Sequence, residues 1–289
     1  SLSSQPLSHT MTPLPTAQHK RLTAWLFALG TLTLVAYGYA LSLQNLRQHT
    51  VAFLVAYFAA FAVYGVATVL ALRMRGLSRQ AVVSVFVLAT AMMALLVFTR
   101  PTLSDDMYRY VWDGRIQAQG ISPYRYPPSA PELREFRDAA VWRHINRKPA
   151  VTVYPPTAEL AFAALWRIVP DSVRWFQIVA AASALLAGAL LLGLLRSLGR
   201  SPARLVLYLW APLLIFETAH SAHLDALILP LLVGAWWARV RQRDILVGVL
   251  LGLATSMKLY PAMLLPALWR PDDRRGRWSM PVAFGLTHH

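Results

Sequence analysis

Four apolar runs constrain this chain more than anything else in it. Residues 22–43, 51–72, 81–98 and 173–195 are almost free of charge, and each approaches or exceeds the roughly 20 residues that a helix needs to cross a bilayer. In hydrocarbon only helices and closed barrels satisfy their own backbone polar groups. The runs therefore specify an all-α fold, a polytopic transmembrane helical bundle. The later runs are less regular. Residues 205–216 and 224–238 are short, and 245–268 is long but carries Lys258 and Pro261. Interrupted segments of this kind occur where helices stop at membrane depth to line a site.

The charges give an orientation. Lys20 and Arg21 precede the first run; Arg73, Arg75 and Arg79 separate the second from the third. Arg196, Arg200 and Arg204 follow the fourth, and Arg239, Arg241 and Arg243 precede the last. Alternation from a cytoplasmic N-terminus puts all of these inside, as basic loops prefer. The connection at Arg47 and residues 99–172 then lie outside. A simple last span would carry Arg270, Arg274, Arg275 and Arg277 outside as well. Either 245–268 is two half-helices returning around Lys258–Pro261, or the chain continues and corrects the imbalance.

The organisation expected is a tail at 1–20, spans 1–3 at 21–98, an external catalytic segment with juxtamembrane helices at 99–172, spans 4–7 at 173–270, and a tail at 271–289. Residues before Met11 are expected to be non-native. The change of character after Trp278 points to truncation or a frame shift. The first apolar run is too long for the core of a cleavable signal peptide.

The net charge of +15, from 28 Lys+Arg against 13 Asp+Glu, would suit a nucleic-acid partner, but its distribution excludes one. No acid occurs in the first 104 residues, and eight acids then fall between Asp105 and Asp171 beside ten basic residues from Arg100 to Arg167. The longest polar segment is thus nearly neutral, and the excess lies in the membrane anchors. The absence of cysteine rules out a disulfide framework and thiolate-held metals.

Segment 99–172 is too long and too rich in Tyr, Trp and Arg for a passive connection. Ser104 is a candidate N-cap for a helix to about Gln119, with Asp105 and Asp106 in its first turn, where the helix dipole favours acids. That helix places Tyr108, Trp112 and Arg115 on one face. Pro131 can start a second helix to about Asn146. Tyr154-Pro155-Pro156 introduces a third, residues 157–169, expected to lie along the membrane surface.

The stretch from Ser104 through Asp105-Asp106-Met107-Tyr108-Arg109-Tyr110-Val111-Trp112-Asp113-Gly114-Arg115, followed by Gly120-Ile121-Ser122-Pro123-Tyr124, resembles the first external loop of GT-C membrane glycosyltransferases. It is most similar to the branch that uses polyprenyl-phosphate mannose. Tyr154-Pro155-Pro156, His223-Leu224-Asp225-Ala226 and Lys258-Leu259-Tyr260-Pro261 follow in the order of that branch, so the resemblance covers about residues 99–266. It implies hexose transfer, most simply of mannose, to an extracytoplasmic glycan or glycolipid, with one of Asp105 and Asp106 as general base. A bacterial inner membrane is the expected location. A lipid donor also fits the residues, since nucleotide sugars are cytoplasmic, the acidic loop is external and no glycine-rich nucleotide loop is present.

Glycosyl transfer from a lipid phosphate needs a base for the acceptor hydroxyl and groups that neutralise the departing phosphate. Asp106 is preferred to Asp105 for the first. Lys258, about 13 residues into an apolar run, is the leading phosphate contact, since ionisable residues there are usually functional. Tyr260, Arg109 and Arg115 are further phosphate candidates. Tyr108 and Trp112 are candidates for stacking on sugar, with Asp113 and Tyr154 as neighbouring substrate contacts. Glu217, His220, His223 and Asp225 form a polar knot. The two His could take a divalent metal, but spacing fixes no third ligand, so sugar or phosphate binding is preferred and no metal or cofactor is expected. Two rivals stand beside this reading: a transporter or lipid flippase with Lys258, Glu217 and Asp225 along its path, and a truncated, inactive glycosyltransferase homologue.

Overall fold

The computed structural model describes residues 16–270 and 278–288. The expectations for the residues before Met11 and for Arg274, Arg275 and Arg277 lie outside them. Among the described residues every regular element is helical. α1 (Thr16–Ser42), α2 (Thr50–Arg73) and α3 (Arg79–Val97) come from the first three apolar runs. α4 (Asp106–Ala118) and α5 (Pro156–Ile168) belong to the long polar segment, and α6 (Val173–Ser197) comes from the fourth run. α1, α2, α3 and α6 are long and apolar enough to cross a membrane.

The next run is a broken helix. α7 (Leu205–Leu209) and α8 (Pro212–Ile215) lead into a π-helical turn, Phe216–His220, and the two halves are bent by 57°. Pro212 has no N–H to continue the ladder of α7, which accounts for the break. α9 (Asp225–Val240), α10 (Asp244–Met257), α11 (Leu265–Leu268) and α12 (Ser279–His288) complete the chain, with α12 packed along α10.

One end of the bundle is tied by hydrogen bonds between distant segments. The Gln177 amide at the start of α6 donates to the carbonyls of Thr99, Ala219 and His220 at 2.9–3.3 Å. This gathers the C-terminal end of α3, the N-terminal end of α6 and the π-turn. Arg79 and Arg196, at the far ends of α3 and α6, therefore lie at the opposite end of the bundle.

The same logic settles the course of 245–268. Lys258 Nζ donates to Asp225 at the start of α9, 2.7 Å away, while Arg239 near the end of α9 donates to Leu268 O at 3.0 Å. The chain runs out along α10 and returns, so of the two alternatives the broken pair is observed. Lys258 is consequently not inside a continuous span. It is the extended C-cap of α10 (φ −159°, ψ 136°), because the ring of Pro261 excludes a helical carbonyl at Met257.

Three apolar cores result. One joins α1, α2, α3, α6, α7 and α8 around Leu26, Tyr37, Met92 and Trp210; a second surrounds α4; a third joins α9, α10, α11 and α12 around Ala235, Leu251, Leu268 and Met280. α4 is buried on all sides from Met107 to Ile116, and this corrects the expectation of a single aromatic and basic face. Its close approach to α5 requires Gly114, since a Cβ there would lie 2.6 Å from Phe162 O. Two smaller expectations also change. Asp105, not Ser104, is the N-cap of α4, with Ser104 Oγ accepting from Asp106 N at 3.3 Å. The helix from Pro131 to Asn146 is replaced by 3-10 turns at Pro131–Phe136 and Trp142–His144. Asp138 Oδ1 accepts the N–H groups of Val141 and Trp142 at 2.7 and 2.9 Å, a local alternative to the helical ladder.

Candidate active site

Three segments far apart in sequence meet at the tied end of the bundle: Ser104–Asp106, Glu217–Asp225 and Lys258–Tyr260. α4 presents Asp105 and Asp106 at its N-terminus. Arg47, from the connection between α1 and α2, reaches Asp105 Oδ2 at 3.3 Å. Asp106 Oδ1 accepts from the Asn146 amide at 2.7 Å, and its Oδ2 lies 3.9 Å from His223 Nε2. Both carboxylates are partly exposed, at 34% and 38% of their side-chain surface. The two acids therefore differ in environment: an arginine grips Asp105, whereas one oxygen of Asp106 faces only an imidazole.

The polar knot separates into three parts. His220 is buried and braces the fold. It pairs with Thr99 Oγ1 at 3.1 Å and accepts from Thr102 N through Nε2 at 3.0 Å, so its other nitrogen carries the proton. His223 turns the other way, its Nδ1 bonded to Glu217 and its Nε2 2.9 Å from Ser104 Oγ. Between them Ala222 adopts φ 50°, a left-handed conformation that costs a non-glycine residue roughly 1–2 kcal/mol, and a π-turn precedes it. Asp225 makes the third part through Lys258, with the Lys258 ammonium 5.9 Å from the Tyr260 ring centroid. Lys258 and Asp225 are each nearly half exposed. Among the described residues no group of three or more His, Asp or Glu has metal-binding geometry.

Burial opposes protonation of His223, but the Glu217 hydrogen bond and the charges of Glu217, Asp106 and Asp225 outweigh it and raise its pKa above the ordinary imidazole value. His223 is thus favoured as a cation beside the Asp106 carboxylate.

The remaining candidates are not at an open surface. Arg109 is 6% exposed; its Nε contacts both oxygens of Asp113 at 2.8 Å and its Nη1 donates to Ala150 O at 3.0 Å. Arg115 is consumed by Asp171 (2.7 Å), Asp138 (2.6 Å) and Phe136 O (2.8 Å). Each Arg115 nitrogen is thus engaged, and Arg109 keeps only Nη2 without a partner, a buried nitrogen rather than an open fork for a donor phosphate. Trp112 and Asp113 are 1% exposed, too enclosed to receive sugar. Tyr108, also mostly buried, stacks on His144 with ring centroids 4.8 Å apart. Tyr154 sits edge-on to Tyr110 and Phe162. Asp113 lies next to Glu159, which is 2% exposed and accepts from Thr152 Oγ1 (2.6 Å) and Gln117 Nε2 (2.9 Å). Burial raises the pKa of both acids, and the Asp113 charge raises that of Glu159 further. Both shifts favour the protonated acid, and the one at Glu159 carries the added repulsion of the Asp113 charge.

Sequence reading missed Arg47, Asn146 and Glu159. Arg47 carried a signal, as a basic residue in a short connection placed on the outside. Asn146 carried none, because a 3-10 turn rather than a helix delivers it.

No solved structure matches the chain. GPI mannosyltransferase 1 of Gibberella zeae is 34% identical over 121 residues, 39% of this chain and 28% of that protein. The chain therefore spans only a minor part of that relative's length. Residues 14–270 match the MptA_B family, described as alpha-(1->6)-mannopyranosyltransferase, N-terminal domain. With a multi-pass helical bundle and a match over most of its length, the chain belongs to this family of membrane mannosyltransferases.

Proposed function

We propose that the chain transfers mannose from a polyprenyl-phosphate donor to a glycan or glycolipid acceptor on the non-cytoplasmic side of a membrane, with Asp106 as general base. In this reading the acceptor hydroxyl gives its proton to Asp106 Oδ2 while its oxygen bonds to C1 of the mannose. The C1–O bond to phosphate breaks, and the electron pair leaves with the phosphate. A single displacement of this kind inverts the anomeric centre. Lys258 meets the departing phosphate, and His223 in its cationic form stabilises the carboxylate before it takes the proton.

The observation that carries the reading is the convergence of Ser104–Asp106, Glu217–Asp225 and Lys258–Tyr260 at one end of the bundle, in a family of mannosyltransferases. The name of the Gibberella zeae relative, GPI mannosyltransferase 1, is consistent with a glycolipid acceptor. The basic ends of α2, α3, α6 and α9 then face the cytoplasm.

Membranes carrying Asp106→Asn or Asp105→Asn, supplied with labelled polyprenyl-phosphate mannose, test the assignment. Asp106→Asn should lower kcat by about 100- to 10,000-fold, the usual worth of a general base, and Asp105→Asn by less. Full transfer by both variants overturns it. Orientation is tested with Ser129→Cys in a chain that has no other cysteine: Ser129 is exposed, and labelling by an impermeant maleimide from the cytoplasmic side alone would reverse the topology.

A further inference from the structure

The end of the bundle remote from the candidate site carries its own recognition chemistry. One face of α3, running from Arg79 through Phe86 and Val87 to Ala94, joins Leu192 and Arg196 of α6 to enclose a groove of about 610 Å³. From Arg79 to Ala94 this face extends roughly 22 Å at 1.5 Å per residue, more than the ~15 Å of hydrocarbon in one leaflet. Its walls are apolar, and Val87 is 59% exposed. Arginines from two different helices close one end.

We infer that this groove binds an anionic phospholipid, its acyl chain along α3 and its phosphate between Arg79 and Arg196. Among the described residues no carboxylate pairs with either arginine, and Asp244, which opens α10, is taken by Arg239. Arg73, Arg200, Arg204, Arg241 and Arg243 add positive charge at the same end. An apolar helix of a protein partner laid in the groove would leave two like charges desolvated without a counter-ion. A zwitterionic headgroup would bring its own cation to them. An anionic headgroup matches both the charge and the apolar wall, as in basic pockets between membrane helices elsewhere. This inference rests on embedding in a membrane and is independent of the transfer chemistry.

Native mass spectrometry of the purified full chain, titrated with phosphatidylglycerol or phosphatidylcholine of the same acyl chains, is the test. One phosphatidylglycerol should bind about tenfold or more tightly than phosphatidylcholine. Arg79→Gln combined with Arg196→Gln should abolish the preference. Arg200→Gln combined with Arg204→Gln, outside the groove, should keep it, and Val87→Trp should displace both lipids. Equal binding of the two lipids by the unmutated chain overturns the inference without recourse to any variant. So does a preference that survives loss of both groove arginines, or a dimer that Val87→Trp dissolves, which would make the groove a contact between copies.

Discussion

α4 carries two charged clusters barely more than a turn apart, and they have opposite designs. At its N-terminus Asp105 and Asp106 are partly exposed, and Asp106 keeps one oxygen whose neighbour is His223 at 3.9 Å. From Arg109 to Arg115 the charges are sealed: Arg109 with Asp113, Arg115 with Asp138 and Asp171. A buried ion pair contributes little by forming, yet removing one partner strands the other in a low-dielectric interior. The inner cluster therefore fixes the helix, and the outer one stays partly exposed, as the proposed exchange of partners with substrate requires.

The largest effect should follow from breaking the inner cluster. Asp113→Ala should cost about 3–5 kcal/mol of stability by stranding Arg109, read as an earlier thermal unfolding in detergent. Asp106→Ala, at the open end of the same helix, should shift unfolding by no more than about 1 kcal/mol while abolishing transfer. If both substitutions destabilise alike, the division between the two clusters fails. Lys258→Met comes next. Its pair with Asp225 is exposed, so its loss should cost under about 1 kcal/mol of stability, whereas KM for the lipid-phosphate donor should rise.

A subtler effect sharpens the inner cluster. Glu159 has a folded pKa raised above its unfolded value of about 4.3 by burial and by Asp113. A raised acid pKa gives stability that is fully present below the unfolded value and is lost as pH rises through the folded one. Glu159→Gln mimics the protonated acid, so the variant should keep stability that the unmutated chain loses between about pH 5 and 9. Parallel pH profiles for the two proteins would show that Glu159 does not carry this titration.

The sequence exposed these two clusters as one motif and could not divide them. The long apolar runs were legible because a bilayer accepts few alternatives, and α1, α2, α3 and α6 fall on them. Asp106, Lys258 and His223 were legible as polar residues at costly or motif positions. Their convergence was not, since it depends on the chain turning back at Lys258 and on the left-handed Ala222. The burial of Trp112, Asp113 and Arg115 was equally hidden. A helix with apolar and charged residues on every side reads as amphipathic until its neighbours are known, and those neighbours are α5, α6 and the 3-10 turn at Trp142–His144.

The outer cluster offers the smallest effect and the closest check on the comparison. His223 has a folded pKa raised above about 6.5 through Glu217, with Asp106 and Asp225 adding to it. For a base, that raised value means stability present below the unfolded pKa and lost as pH rises through the folded one. Transfer should fall over the same window if the imidazolium holds the Asp106 carboxylate in place. Glu217→Gln removes the main partner, so the pH at which transfer declines should move down toward the ordinary imidazole value, with kcat below that pH little changed. The Asp113–Glu159 pair lies in the other cluster, and Glu159→Gln should leave this activity profile where it was. A profile that Glu159→Gln moves and Glu217→Gln does not would assign the titration of activity to the sealed cluster and reverse the roles of the two ends of α4.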